Sequence, residues 1–318
     1  MTRESDFIAR VRELATHPAA RALADDAAVL AVDGEIVLTH DMLVEDVHFL
    51  PGDPPADVAW KLVAVNMSDL AAKGASPIGV LMGYGFGADA SWDAAFVAGL
   101  GQALEAMDVA LLGGDTVSMP KGGPRTLGLT AIGRAPATGA PSRGGAKPGD
   151  RLWVTGTIGD AGLGLAIAQG ERSGPATLAQ RYRRPSPRLA FGQAIALWVH
   201  AMADISDGLL IDAARMAGAS GLAATIDLAL VPLSADLLSI MPGDRATRIA
   251  AATAGDDYEL LFAAPAEAEE AIRAVSTRCG LTVTMVGRLA TGDGIALTES
   301  GSAVPLPQRL GFEHGASG

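Results

Sequence analysis

The chain has 318 residues, 49% of them hydrophobic, and a formal net charge of −12. That length holds one large or two medium domains with ample core. The acidity argues against nucleic acid or an anionic membrane as partner, and no apolar stretch is long enough to span a bilayer.

A single cysteine, Cys279, leaves no internal disulfide framework and no cysteine zinc cluster. The opening Met-Thr-Arg-Glu-Ser-Asp is polar and lacks the apolar core of a signal peptide, so a cytoplasmic protein is expected. Apolar spacing predicts a first helix over 5–16, with Phe7, Ile8, Val11 and Leu14 on one face. Segments 28–32 and 35–40 read as strands joined at Asp33-Gly34, a hairpin signal. Asp53-Pro54-Pro55 opens a long helix that reaches Lys73. A strand over 77–86, a helix over 91–107, a strand over 109–112 running into Gly113-Gly114, and a strand over 126–133 follow. The stretch 136–150 is rich in Pro, Gly and Ser and carries no apolar periodicity, so a domain boundary is placed there, dividing 1–137 from 138–318. Beyond it the pattern predicts strands over 151–155, 222–227, 258–263 and 283–289, and helices over 160–169, 187–201, 207–217 and 267–278. Both halves are mixed α/β.

Carboxylates recur wherever an apolar run breaks: Asp26, Asp41, Asp69, Asp115, Asp204 with Asp207, and Asp256 with Asp257. An acid set in apolar sequence is costly to desolvate unless something positive meets it. Local bases are few, and hard divalent cations take oxygen ligands. Each position also has a plainer reading. Asp26 and Asp41 flank the expected hairpin, which would bring them to one ion, or they are turn acids bonding locally. Asn66, Asp69 and Lys73 share a helix face as a ligand stripe, or Asp69 and Lys73 form an exposed pair worth a few tenths of a kcal/mol. Gly113-Gly114-Asp115-Thr116 lets backbone approach a phosphate, or is a tight turn. The glycine-rich run 155–162 offers a helix N-terminus to an anion, or is a close-packed connection. Ser206 reads as an N-cap with Asp207 in the first turn, which leaves Asp204 for metal. Arg143 touches a phosphate or is solvated, and His48 approaches a substrate or is an ordinary half-buried histidine. Walker A, Rossmann and protein-kinase signatures are all missing, as are a zinc-type histidine pair and an activated nucleophile.

Taken in order, Asp25-Asp26-Ala-Ala-Val-Leu, Thr-His-Asp41, Val-His48-Phe, Val-Asn-Met-Ser-Asp69-Leu-Ala-Ala-Lys-Gly-Ala, Gly-Gly-Asp115-Thr, Pro-Gly-Asp150, Val-Thr-Gly-Thr-Ile-Gly-Asp, Asp204-Ile-Ser-Asp207-Gly-Leu and Gly-Asp256-Asp257-Tyr-Glu-Leu span nearly the whole chain. This ordered set resembles the thiamine-monophosphate kinase family. Its superfamily also holds aminoimidazole ribonucleotide synthetase, selenophosphate synthetase and a hydrogenase-maturation protein. The resemblance implies an α/β (α+β type) protein of two domains: an N-terminal mixed sheet with helices that joins a second copy as a dimeric barrel, and a C-terminal α/β domain that completes a cleft for ATP. It implies ATP and thiamine monophosphate as ligands, several Mg2+ ions, and a homodimer. Asp26, Asp41, Asp69, Asp115, Asp204 and Asp207 match its metal ligands. His40 stands where a serine or threonine is usual, so a backbone carbonyl would serve there. Gly114, Asp115, Arg143 and Ser206 match ATP contacts. His48, Asp256 and Phe312 match thiamine-phosphate contacts, with Asp256 one methylene shorter than the commoner glutamate, and Arg309 stands where an aromatic sometimes lies.

The expected reaction is direct in-line transfer of the ATP γ-phosphoryl group. A phosphate monoester has a second pKa of about 6, so near neutral pH the acceptor is already an anionic nucleophile and no general base is needed. Catalysis then reduces to alignment and charge neutralisation. The alternatives are a sister ATP-dependent synthetase and a non-catalytic magnesium-nucleotide-binding subunit.

Overall fold

The computed structural model of the chain describes residues 2–87 and 89–313. They divide into two units, Met1–Leu70 with Ala75–Ala137, and Ala71–Gly74 with Thr138–Gly318.

In the first unit, α1 (Arg3–Leu14) starts at Thr2, whose side chain accepts the Ser5 N–H. There follow β1 (Ile36–Val44), α2 (Pro55–Ala71), β2 (Ser76–Phe86), α3 (Ala90–Ala106), β3 (Ala110–Ser118) and β4 (Thr126–Arg134). The four strands form one mixed sheet in the order β1-β4-β2-β3, with only β2 and β3 parallel. Helix α2 is buried on almost every side, and its apolar residues are joined inside by the buried polar groups of Lys61, Asn66 and Ser68. It meets α3 so closely that a Cβ on Gly99 would lie 2.3 Å from Ala56 Cα. Phe7, Tyr84, Phe86, Phe96 and Trp92 form a chain of ring contacts in the core. The buried Asp93 carboxylate accepts from Tyr84 Oη at 2.7 Å and from Arg3 Nε at 2.6 Å. Successive strand residues face opposite sides. One side of the sheet meets the helices, and the other leaves Ile36, Leu38 and Met42 of β1, Leu81 of β2 and Val117 of β3 exposed, Leu38 by 61%.

Two expectations fail in this unit. Segment 28–32 is not a strand, so no hairpin carries Asp26 towards Asp41. Instead β1 pairs along its whole length with the distant β4, from Ile36↔Arg134 to Val44↔Thr126. The strand expected over 109–112 does not end at Gly113-Gly114, which lie in the middle of β3 and exclude the tight-turn alternative. A bulge opposite Val80 and Leu81 absorbs Leu112, and the strand runs on to Ser118.

The second unit contains β5 (Arg151–Thr155), α4 (Asp160–Ala168), α5 (Ala176–Arg183), α6 (Leu189–Ile195), β6 (Ala201–Ile205), α7 (Leu209–Ala219), β7 (Leu222–Asp227), α8 (Ala235–Leu238), α9 (Arg245–Thr253), β8 (Glu259–Ala264), α10 (Glu269–Cys279), β9 (Val283–Thr291), β10 (Gly294–Glu299) and β11 (Ser302–Val304). Its mixed seven-stranded sheet has the order β11-β10-β7-β9-β5-β8-β6. Alternate residues of the central strands feed two separate cores: Leu152, Val154, Leu261 and Ala263 enter one, while Trp153, Leu260 and Phe262 enter the other. Here the expected helix over 187–201 is cut short, because Ala201–Ile205 is a strand. That segment, Ala-Met-Ala-Asp-Ile, carries little strand signal of its own, but all five residues are buried and pair with β8, so tertiary packing sets its conformation. Among the described residues no helix is long and apolar enough to cross a membrane.

Candidate active site

In the first unit, strand alternation turns Thr39 and Asp41 towards α2. Asn66 Oδ1 accepts the Asp41 N–H at 3.2 Å, and Thr39 Oγ1 donates to the Asp69 carboxylate. Asp41 and Asp69 therefore share one half-buried place. Burial, and then the Asp69 charge, push the Asp41 carboxyl up to about 6. Two carboxylates, a hydroxyl and an amide oxygen are hard donors held against mutual repulsion, a set that suits a magnesium-like cation. Thr39 escaped the sequence reading, although its place two residues before Asp41 puts both on one strand face. Among the described residues no group of three or more His, Cys, Asp and Glu is poised to hold a metal ion.

The other expected ligands of this unit lie elsewhere. The His40 ring points to the opposite face of the sheet from Asp41, with Nδ1 2.9 Å from Thr130 Oγ1. Asp115 is on that same outer face, since it pairs with Gly83 and is flanked there by Leu81 and Val117. Asp26 is exposed in the irregular segment between α1 and β1, its N–H donating to Asp25 Oδ1 at 2.8 Å. His48 is half-buried, and its Nδ1 accepts the Val44 N–H at 3.0 Å. Gly114 packs against β2 so tightly that a Cβ would lie 2.0 Å from Met82 O. Gly114→Ala is therefore expected to cost about 1–3 kcal/mol of stability without any ligand, measured by urea unfolding. Unchanged stability would leave only a ligand role for this glycine.

In the second unit, neighbouring strands bring the end of β5, the end of β6 and the start of β8 to one edge of the sheet. Crevices at such strand ends are the usual ligand sites of α/β sheets. There the Asp256 N–H donates to Ser206 O at 2.8 Å, the Tyr258 N–H to Ile205 O at 2.8 Å, and the Phe312 N–H to Asp207 O at 2.9 Å. Ser206, Asp207, Asp256 and the half-exposed Phe312, more than one hundred residues apart at the extremes, are thus gathered by main-chain bonds. Asp204, in β6, is buried. Ser206 is not a helix cap: α7 begins at Leu209 after Gly208, and no side chain caps it. Asp207 instead meets Arg215 Nη1, which also lies 3.0 Å from Asp212. Asp212, overlooked in the sequence, is buried and accepts the Asp207 N–H at 3.2 Å. Burial lifts its carboxyl above the ordinary range, against the pull of that N–H and of Arg215.

The glycine-rich turn between β5 and α4 is not an open anion cradle. Gly159 caps α4 without a side chain of its own, and the Asp257 carboxylate takes its N–H at 2.8 and 3.0 Å. Gly156 is wedged against the buried Glu259, which pairs with Arg188 and accepts from Thr155 Oγ1 at 2.6 Å. Arg143 is exposed and sits away from this edge. Its turn packs at the start of β6, where Ser142 O accepts the Met202 N–H at 3.2 Å and Gly145 abuts His200 O.

Comparison with known proteins gives a full-length match. The AIR synthase related protein N-terminal domain family matches residues 24–135, and its C-terminal domain family matches residues 147–299. The thiamine-monophosphate kinase of Caulobacter vibrioides is 40% identical over 98% of this chain and 91% of that protein. The crystal structure of thiamine-monophosphate kinase from Stenotrophomonas maltophilia K279a is 34% identical, with a TM-score of 0.83 over 95% of this chain and 97% of that one. A further structure, AaThiL complexed with AMPPCP and TMP, is 29% identical, with a TM-score of 0.76 over 91% of each chain.

Proposed function

The chain belongs to the thiamine-monophosphate kinase family, and on that premise we propose that it transfers the γ-phosphoryl group of ATP to thiamine monophosphate, giving thiamine diphosphate and ADP. The full-length kinship carries this reading. The gathering of Ser206, Asp207, Asp256 and Phe312 at one sheet edge supports it.

Asp41 and Asp69, with Thr39 beside them, would hold magnesium in the first unit. Asp204 and Asp207 would do so in the second. Asp26, Asp115 and the His40 carbonyl are assigned to metal, and Arg143 to ATP, on their motif positions. When bound, magnesium offsets the negative charge of two phosphate groups brought face to face. Gly114 and Ser206 bring backbone and hydroxyl to the nucleotide. Asp256 supplies a negative charge and Phe312 an aromatic face to the thiamine cation, an arrangement suited to a charged heteroaromatic ring. His48 is assigned to the same substrate. No side chain needs to remove a proton, because the acceptor phosphate is already ionised near neutral pH. What the protein contributes is in-line alignment.

The first unit would also pair with a second copy through its outer sheet face, closing a barrel. Ile36, Leu38, Met42, Leu81 and Val117, all exposed on one face, support this, because contiguous apolar surface on a soluble chain marks an interaction site.

Phosphorus NMR of the pure protein with ATP, magnesium and thiamine monophosphate tests the activity. A new diphosphate ester is expected, together with ADP. Tight ATP binding without that ester would indicate a nucleotide-binding subunit instead. ATP turnover that leaves thiamine monophosphate untouched would point to a sister synthetase.

A further inference from the structure

We propose that Asp257 is a positioning residue for the substrate contact at Asp256, locking the loop that carries it to the amino end of α4. The inference rests on the reading of Asp256 as a thiamine-phosphate contact.

The loop between α9 and β8 is held in an unfavourable backbone. Asp256 has φ +69° and Tyr258 φ +49°, both in the left-handed region that side chains seldom occupy. Such strain persists only where the surroundings over-determine it. On one side, the N–H groups of both residues are pinned to Ser206 O and Ile205 O, each at 2.8 Å. Gly255 also lies flat against the same turn, where a Cβ would come 2.7 Å from Ser206 O. Tyr258 Oη reaches back to Asp256 Oδ1 at 3.2 Å.

Asp257 supplies the opposite anchor. Its two carboxylate oxygens receive the Gly159 N–H at 3.0 and 2.8 Å, across 98 residues of chain. Gly159 is the N-cap of α4 and has no capping bond of its own, so Asp257 caps that helix from a distance. The donor cannot easily shift. Gly159 has φ +89° and is packed so that a Cβ would lie 2.4 Å from Ala251 Cβ. Asp256 is thus clamped from two sides, by main-chain bonds to the end of β6 and by its neighbour's carboxylate on α4. Without the second anchor, the left-handed residues can relax and carry the Asp256 carboxylate out of register with the substrate.

Steady-state kinetics of the full chain test this with Asp257→Ala and Asp257→Asn. For Asp257→Ala the KM for thiamine monophosphate is expected to rise about tenfold or more, a size typical of sub-ångström to ångström misplacement, while the KM for ATP stays within about twofold. Asp257→Asn keeps an oxygen acceptor towards Gly159 and is expected to recover most of the loss. Equal effects on both substrates, or a fall in stability with no KM change, would overturn the proposal. A wild-type protein that does not phosphorylate thiamine monophosphate would instead sink the kinase reading. Should Asp257→Ala fail to fold, hydrogen exchange on the wild type decides. Thiamine monophosphate is expected to protect the Gly159 amide together with residues 256–258, and protection that stops short of Gly159 would refute the clamp.

Discussion

Asp41→Asn is expected to make the metal-free protein more stable and to abolish phosphoryl transfer. Burial and the neighbouring Asp69 raise the Asp41 carboxyl from 3.8 to about 6. Above pH 6 the folded state must therefore keep ionised a group that the unfolded chain ionises without cost. The penalty is fully present at neutral pH and fades as pH falls through about 6 towards 4, where the folded protein takes up the proton first. At 1.36 kcal/mol per pKa unit the penalty is about 1–3 kcal/mol, the lower end allowing for residual hydration. Urea unfolding at pH 7 without magnesium should show this gain for the asparagine variant, and the gain should vanish near pH 4. Activity should fall by at least about 10²–10³-fold, the usual loss when a group that stabilises transition-state charge is removed. Added magnesium should raise the melting temperature of the wild type and have a weaker effect on the variant. A variant that is less stable than the wild type at pH 7, or that keeps more than a tenth of the activity, would refute the assignment of this acid pair.

Leu38→Asp is expected to leave each chain folded and to separate the copies. Leu38 is 61% exposed on the outer face of the four-stranded sheet, so its replacement should change the stability of a single chain by no more than about 0.5 kcal/mol. In a symmetric pair the substitution enters the interface twice. Each copy loses the ~1.5–3 kcal/mol of a buried leucine and gains a carboxylate that resists desolvation. The dissociation constant should rise by about 10³-fold or more. Sedimentation velocity over a range of concentrations measures this. A variant that sediments like a wild-type dimer would place the interface elsewhere, and a wild type that is monomeric at all concentrations would remove the dimer.

The local elements were largely legible, and the long-range ones were not. Helices α1, α2 and α3 announce themselves through spacing and through Asp-Pro or acidic starts. Strand β6 does not, because Ala-Met-Ala-Asp-Ile has few β-branched residues and becomes a strand through pairing with β8. The run 28–32 is a short continuous apolar segment like a buried strand but is not one, since β1 pairs with β4. The acids of the candidate site were legible as types, but their company was not. Asp69 meets Thr39 across 30 residues, and Asp257 meets Gly159 across 98. Asp212 lies within the expected helix over 207–217 with nothing in the sequence to mark it, and its bond to the Asp207 amide sets it apart. In Asp256-Asp257 the sequence shows two adjacent carboxylates. Only the fold shows that Asp257 turns inward to take the Gly159 N–H at the start of α4.

Asp115 occupies the solvent-facing side of the sheet, among the same apolar residues that a second copy would cover. Sealing that surface would strip water from a carboxylate, which a captured cation would relieve. Association and ion uptake would then be linked equilibria, each strengthening the other by the same factor. Diluting the protein should loosen its grip on magnesium, and withdrawing magnesium should favour separate chains.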